Sequence, residues 1–188
     1  MRVVFFGTPH FAAKVLAYLI EYKIDIVAVI SKPDRPVGRS AHPVPTAVKE
    51  TVLALAPSIP LHQPELVSSP DFASLLESCK ADLFVVVAYG EILKQHLLDM
   101  PKKGCINLHA SLLPYYRGAA PIQRCIIDGQ IETGATIMHM VKKMDAGDMI
   151  KKVIVPIGPE TTFAELEDAL CEKGKEALLE IILAFDKG

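Results

Sequence analysis

The sequence predicts an α/β fold of three layers built on a mixed, mostly parallel sheet. Short apolar runs alternate along the chain with segments whose apolar residues recur at helical spacing. The first 30 residues form one βαβ unit, with strands at Val3–Phe6 and Ile24–Ile30 and a helix at Phe11–Ile20 between them. The most hydrophobic run, Leu83–Ala88, has the composition of a central parallel strand. Together these features indicate a single domain over residues 1–188.

The other elements follow from the same periodicities and from end signals. Thr46 is a good N-cap for one helix, and Thr161 or Thr162 caps the last one, in which Gly174 is a candidate interruption. Further strands are expected at 58–61, 105–109, 133–141 and 151–157, and further helices at 47–55, 71–78, 91–98, 118–129 and 163–185.

Composition narrows the class of protein. The chain is 51% hydrophobic and 22% charged with a mean hydropathy of +0.31, which suits a well-filled globular core. A net charge of −2 gives no global attraction to nucleic acid, so any RNA contact must be local. No apolar stretch has the length of a signal peptide or a membrane span, and we therefore expect a cytoplasmic protein that does not bind membranes.

The four cysteines do not predict a metal site. They are far apart and show neither a CxxC pair nor a Cys/His cluster with zinc spacing. Buried, reduced thiols and no bound metal are expected for Cys79, Cys105, Cys125 and Cys171.

Residues 32–46 form a distinctive segment. Their four prolines should break any regular element and leave a long loop. The segment is also locally basic, with Lys32, Arg35, Arg39 and the nearby Lys49 against Asp34. It is either a solvated surface loop or an arm that contacts phosphate groups.

Candidate chemistry lies where the apolar runs end, because ligands of open α/β sheets bind outside the carboxyl ends of the strands. Four segments close such runs and are expected to converge on one edge of the sheet: Gly7–Pro9, Ala88–Gly90, Asn107–His109 and Met144–Asp148.

Asn107 and His109 are two residues apart on a predicted strand, so their side chains point to the same face. Asp145, in a turn, could orient His109 and raise its pKa towards neutrality, and Asn107 could donate to a developing oxyanion. These groups suit attack on a carbonyl-level carbon without a covalent intermediate. A satisfied core histidine and ordinary turn chemistry at Asp145 remain alternatives.

Other chemistries lack their sequence patterns. There is no GxSxG nucleophile elbow, and Ser111 follows His109 too closely for a serine mechanism. The first turn has Gly7 alone where a dinucleotide-binding domain carries GxGxxG, and no GxxxxGK[ST] loop is present.

Three segments resemble the folate-dependent formyltransferase family: CINLHASLLPYYRGAAPIQ at 105–123, TGATIM at 133–138 and MDAGD at 144–148. The resemblance implies a Rossmann-like formyltransferase fold, catalytic roles for Asn107, His109 and Asp145, and 10-formyltetrahydrofolate as the formyl donor. Within the family, Gly7-Thr8-Pro9 and the strings at 33–39 and 87–90 are similar to the branch that acts on methionyl initiator tRNA.

The implied reaction is formyl transfer to the α-amino group of methionyl initiator tRNA through a tetrahedral intermediate, in translation initiation. A formyltransferase acting on a sugar nucleotide or another small amine is one alternative, and a non-catalytic folate- or RNA-binding module is another. The implied pterin-binding residues are Tyr89, Gly90, Glu91, Ile92, Leu93 and Val141. The implied substrate-binding residues are Gly7, Thr8, Pro9, Arg35, Arg39, Ser111, Leu112, Leu113 and Pro114.

The resemblance also implies two features of tRNA recognition. The loop at 34–46 would reach the acceptor end, although Ser40, Ala41 and His42 stand where relatives commonly carry further lysines. The family's C-terminal β-barrel, which also binds tRNA, is expected to lie outside these 188 residues. A monomer is expected.

Overall fold

The computed structural model describes residues 1–39 and 41–188. Ser40, one of the loop positions singled out from the sequence, lies outside the described residues. The chain forms two compact units, Met1–Cys105 and Ile106–Gly188.

The first unit is built on a parallel sheet. Strand β1 (Val3–Gly7) pairs in parallel with β2 (Ile26–Ile30) on one side and with β6 (Leu83–Val87) on the other, and β2 also pairs in parallel with β5 (Leu61–His62). Its core strands are buried along almost their whole length, as the continuous Val, Ile and Phe runs predict. Its strands are β1 Val3–Gly7, β2 Ile26–Ile30, β3 Arg35–Pro36, β4 Pro43–Val44, β5 Leu61–His62 and β6 Leu83–Val87, and its helices are α1 His10–Glu21, α2 Ala47–Leu55, α3 Pro70–Ser78 and α4 Gln95–Leu98.

The second unit combines antiparallel strands with a long helix. Strand β7 (Cys105–His109) pairs with β8 (Glu132–His139), and β8 pairs with β9 (Met149–Pro156), both in antiparallel fashion. The last helix packs against β8 and β9 and begins with a capping box between Thr162 and Glu165. The elements are β7 Cys105–His109, which starts at the last residue of the first unit, α5 Pro121–Ile127, β8 Glu132–His139, β9 Met149–Pro156 and α6 Phe163–Lys187.

Two helices are shorter than predicted. The helix expected at 91–98 covers only Gln95–Leu98, because Gly90 has a φ of +93° and the Glu91 side chain is engaged elsewhere in the first unit. The helix expected at 118–129 is Pro121–Ile127, since Gly118 and Ala120 adopt left-handed conformations and proline starts the helix well.

The expected interruption at Gly174 is wrong, because α6 is continuous through this residue. A methyl group added at Gly174 would lie 3.1 Å from Leu108 Cδ1, so the missing side chain lets the helix approach β7 closely.

The proline-rich segment holds a short antiparallel pair, β3 with β4, which the sequence prediction excluded. Its register joins Arg35 to Val44 and Pro36 to Pro43. Neither proline has an N–H to donate to a strand partner. The sequence is therefore compatible with strands of two residues but not with longer ones.

Candidate active site

Strand β7 positions two polar side chains in the second unit. Across the antiparallel ladder, Asn107 lies opposite Met138 and His109 lies opposite Thr136. Leu108 between them is buried against Gly174 of α6. The Asn107 side chain is half-buried and has no hydrogen-bond partner within residues 1–39 and 41–188, so its amide is free to meet a ligand.

Asp145 approaches His109 from the turn that follows β8. Its Oδ2 atom lies 3.8 Å from His109 Nδ1, and the two side chains are only 8% and 9% exposed. This distance is longer than a direct hydrogen bond, and the contact becomes an ion pair when the imidazole is protonated. Asp145 adopts a φ of +48°, a conformation that aspartate tolerates better than most residues. The turn at Asp145 therefore directs its carboxylate towards the imidazole.

A segment after β7 encloses this pair through backbone groups. The Tyr116 carbonyl lies 2.9 Å from His109 Nε2, and the Gly118 N–H donates to Asp145 Oδ2 at 2.7 Å. The Arg117 Nε donates to the Asp145 carbonyl at 2.9 Å. No role was predicted from the sequence for residues 116–118, since Tyr116 and Gly118 make their contacts through backbone atoms, which leave no side-chain pattern. The only available signal was Gly118, whose φ of +82° favours glycine.

The tight turn at 111–114 is held by internal hydrogen bonds. The buried Ser111 hydroxyl donates to the Tyr115 carbonyl at 2.7 Å. The Thr136 hydroxyl donates to the Ser111 carbonyl and accepts from the Leu113 N–H. Leu112 packs beside Gly134, and Pro114 is exposed. Of the predicted substrate residues in this turn, Pro114 is the one exposed to solvent.

In the first unit, the turns after β1 and β6 are joined by a hydrogen bond. The Thr8 hydroxyl donates to the Tyr89 carbonyl at 2.7 Å. Gly7 is buried where a Cβ would lie 2.7 Å from Ala12 Cβ and 2.9 Å from the Val87 carbonyl. Pro9 is exposed. Gly7 and Thr8 thus shape the carboxyl edge of this sheet, whereas the predicted convergence of all four turns stays a prediction.

The predicted pterin-binding residues differ in exposure. Tyr89 is 2% exposed and packs edge-on against Phe6, and burial raises the pKa of its hydroxyl well above the usual range. Leu93 is buried as well, whereas Gly90 and Ile92 are exposed, as is Val141 in the second unit. Among these predicted residues of the first unit, Gly90 and Ile92 are therefore the ones most accessible to a ligand.

The two predicted tRNA-binding arginines lie on the surface. Arg35 is exposed and forms an ion pair with Glu65, and Arg39 is exposed as well. The Asp34 carboxylate accepts hydrogen bonds from Lys49 and Gln63. Both lower the pKa of this carboxyl group, and the bond from Lys49 has the larger effect. The loop therefore presents Arg35 and Arg39 outward while Asp34 anchors its base.

Among the described residues, no group of His, Cys, Asp and Glu side chains could hold a metal ion. No described helix is both long enough and apolar enough to cross a membrane.

A single family accounts for this fold and for these segments. The family model described as formyl transferase matches residues 1–182, so the chain belongs to the formyl transferase family. The glycinamide ribonucleotide transformylase 1 of Symbiobacterium toebii has a similar structure, with a TM-score of 0.82 and 19% identity over 100% of this chain and 88% of that one. This likeness confirms the predicted Rossmann-like α/β class with a mixed, mostly parallel sheet.

Sequence relatives point to one branch of the family. A methionyl-tRNA formyltransferase of Protochlamydia amoebophila is 69% identical over the whole chain, which spans 58% of the length of that relative. A more distant structure, the sugar 3N-formyl transferase WlaRD in the presence of dTDP and 5-N-formyl-THF, has a TM-score of 0.72 at 18% identity and covers 97% of this chain and 62% of its own.

Proposed function

We propose that this chain is a formyltransferase catalytic domain that transfers a formyl group from 10-formyltetrahydrofolate to the α-amino group of methionyl initiator tRNA. The observation that carries the proposal is the buried His109–Asp145 pair, which lies beside a half-buried Asn107 with a free amide. The 69% identity to a methionyl-tRNA formyltransferase supports this acceptor over a small amine.

The proposed reaction proceeds through a tetrahedral intermediate. The α-amine of the methionyl group attacks the formyl carbon, a C–N bond forms, and the carbonyl oxygen becomes an oxyanion. Asn107 donates a hydrogen bond to that oxygen, together with protonated His109. The intermediate collapses when the bond from carbon to N10 of the folate breaks and protonated His109 gives its proton to N10. The neutral imidazole then takes up the proton lost by the amine, and Asp145 stabilises the charged ring that re-forms.

The contacts of His109 suit this role. Nε2 lies within hydrogen-bonding distance of the Tyr116 carbonyl, which can only accept, so this nitrogen carries a hydrogen. Nδ1 faces the Asp145 carboxylate, whose negative charge would stabilise a protonated ring. A charged ring is also the form that stabilises an oxyanion. In the proposed reaction, Nε2 exchanges the Tyr116 carbonyl for the substrate oxygen.

Binding roles are proposed for the two sets of residues that the resemblance implied. The donor would contact backbone groups around Gly90 and Ile92 in the first unit, and the role of Val141 stays a prediction. Arg35 and Arg39 would contact phosphate groups of the tRNA, whose charge dominates such binding. A translation enzyme of this kind would act in the cytoplasm, and a monomer stays a prediction.

The proposal is tested by transfer of labelled formyl from 10-formyltetrahydrofolate to three acceptors: charged initiator tRNA, an amino sugar nucleotide and glycinamide ribonucleotide. Only charged tRNA should accept label above the rate without protein. Faster transfer to the amino sugar nucleotide or to glycinamide ribonucleotide than to charged tRNA would favour a formyltransferase that acts on that small amine.

A His109→Ala variant separates a catalyst from a binding module. The rate should fall by about 10²-fold to 10⁴-fold, the contribution typical of general acid–base groups. Donor binding, measured by calorimetry, should change little. Unchanged turnover in this variant would refute the assignment of His109.

A further inference from the structure

Lys32 and Glu91 form an ion pair that the proposed reaction does not use. Lys32 follows β2 and Glu91 follows β6, and their Nζ and Oε2 atoms lie 2.6 Å apart. The side chains are 26% and 16% exposed, so solvent screens this pair only in part. Two oppositely charged groups thus meet beside the carboxyl ends of the parallel strands.

Each partner has further contacts that tie it to a neighbouring loop. Glu91 Oε1 accepts from the Val67 N–H at 3.0 Å, and the Lys32 ammonium also donates to the Glu65 carbonyl at 3.3 Å. The same ammonium lies 5.7 Å from the centre of the Tyr89 ring, within the range of a cation–π contact. The ion pair therefore fixes the start of the segment after β6 against loop 65–67.

The backbone of Lys32 adds a second connection to this segment. Its N–H donates to the Thr8 hydroxyl at 3.3 Å, and that hydroxyl donates to the Tyr89 carbonyl. Its carbonyl accepts from Gln63 Nε2 at 2.9 Å. Lys32 is thus bonded to segments that follow three other strands of the first unit.

The turn that these contacts hold is conformationally unfavourable by itself. Ala88 has a φ of +46° and Gly90 a φ of +93°. A non-glycine residue in the left-handed region is a strained conformation that persists when its surroundings impose it. Ala88 and Gly90 are also exposed, so this strained turn is accessible to a ligand.

We propose that Lys32 and Glu91 are positioning residues for the formyl donor, whose ion pair holds the backbone at 88–92 in the conformation that binds it. This inference rests on the proposed function, because it takes the turn as the donor site. Neither side chain reacts. Breaking the pair leaves one half-buried charge without its partner, which loosens the turn.

The test compares Lys32→Met and Glu91→Gln with a matched control, Lys49→Met. Lys49 forms an ion pair with Asp34 that has the same 2.6 Å separation and similar exposure, 26% and 22%. Within the described residues, this pair reaches Lys32 only through the Gln63 amide and makes no hydrogen bond with the turn at 88–92. Each variant is assayed for KM of the donor and kcat, and its free form for amide hydrogen exchange at 88–92.

In Lys32→Met and Glu91→Gln, the donor KM should rise about tenfold, because the donor must pay to order the turn, while kcat stays within about twofold. A general loss of folded protein would lower kcat and leave KM unchanged. The double variant should be no worse than either single variant, since the interaction is lost only once. Lys32→Arg, which keeps the positive charge, should retain much of the wild-type affinity for the donor.

Exchange in the ligand-free chain separates this inference from the proposed function. Faster exchange at 88–92 in both variants but not in Lys49→Met supports the positioning role. Unchanged exchange and KM, or an equal KM effect in Lys49→Met, overturns it. A different result would separate the two: the wild-type chain binds no donor by calorimetry, while amide exchange at 88–92 is still faster in Lys32→Met and Glu91→Gln. The donor role of the ion pair would then be refuted together with the proposed function. The conclusion that the ion pair orders the turn at 88–92 would stand.

Discussion

Asp145 uses one carboxyl group for two purposes. Its Oδ2 atom accepts a hydrogen bond from the Gly118 N–H at 2.7 Å and faces His109 Nδ1 at 3.8 Å. The first contact is structural and needs only an oxygen acceptor. The second is electrostatic and needs the negative charge. A substitution that keeps the acceptor and removes the charge separates the two.

Asp145→Asn should lower kcat by about 10²-fold to 10⁴-fold, because an amide cannot stabilise the imidazolium or relay its proton. The midpoint of thermal unfolding should change little, since the amide oxygen can still accept from Gly118. Steady-state formyl transfer and circular dichroism provide the two measurements. Glu160→Gln is the control, because it removes the charge of an exposed carboxylate in the same unit. If Asp145→Asn keeps more than about a third of the wild-type kcat, the negative charge of Asp145 is not needed for the reaction.

At the scale of elements, the turn after β8 decides where Asp145 lies. The Asp148 carbonyl accepts from the His139 N–H at 2.9 Å, so the turn closes back on the end of the strand. Gly147 passes so near that a Cβ there would lie 1.7 Å from the His139 carbonyl oxygen. A side chain at position 147 must therefore displace backbone and cannot be relieved by a rotamer change.

Gly147→Ala should reduce the free energy of unfolding by roughly 1–3 kcal/mol, the usual cost of overpacking. Because the turn carries Asp145, kcat should fall as well. Gly158→Ala is the matched control, since its nearest contact would be the Thr161 hydroxyl oxygen at 3.2 Å. Urea unfolding and the transfer assay measure the two effects. Equal stability of both variants would contradict the close approach.

For the whole molecule, three carboxylates link folding to pH. Hydrogen bonds lower the pKa of Asp34 through Lys49, of Asp82 through the Arg2 N–H, and of Glu165 through the Thr162 N–H. A folded-state pKa below the unfolded value stabilises the protein above the unfolded pKa. This stabilisation disappears as the pH falls through the folded pKa.

The thermal midpoint should therefore change little between about pH 7 and pH 5 and drop below about pH 4. Circular dichroism melts across this range provide the measurement. Asp82→Asn should make the fall of the thermal midpoint below about pH 4 less steep. Asp25→Asn, at an exposed aspartate, is the control and should leave this fall as in the wild type. A fall that is identical in all three proteins would rule out this contribution of Asp82.

The sequence predicted regular elements well where a local pattern specifies them. Buried Val, Ile and Phe runs became β1, β2 and β6, and the Thr162 signal became a capping box. Prediction failed at 91–94 and 118–120. There the helical pattern continues, but contacts of Glu91 and left-handed backbone at Gly118 and Ala120 override it.

By itself the sequence determined that Asn107 and His109 share one face of a strand, because side chains alternate with a period of two. It also carried the motifs of the formyl transferase family. Only the tertiary structure brought Asp145 to His109 and placed the backbone of 116–118 around both. These contacts join residues distant in sequence, and the backbone groups involved are common to all residues, so no local pattern could have encoded them.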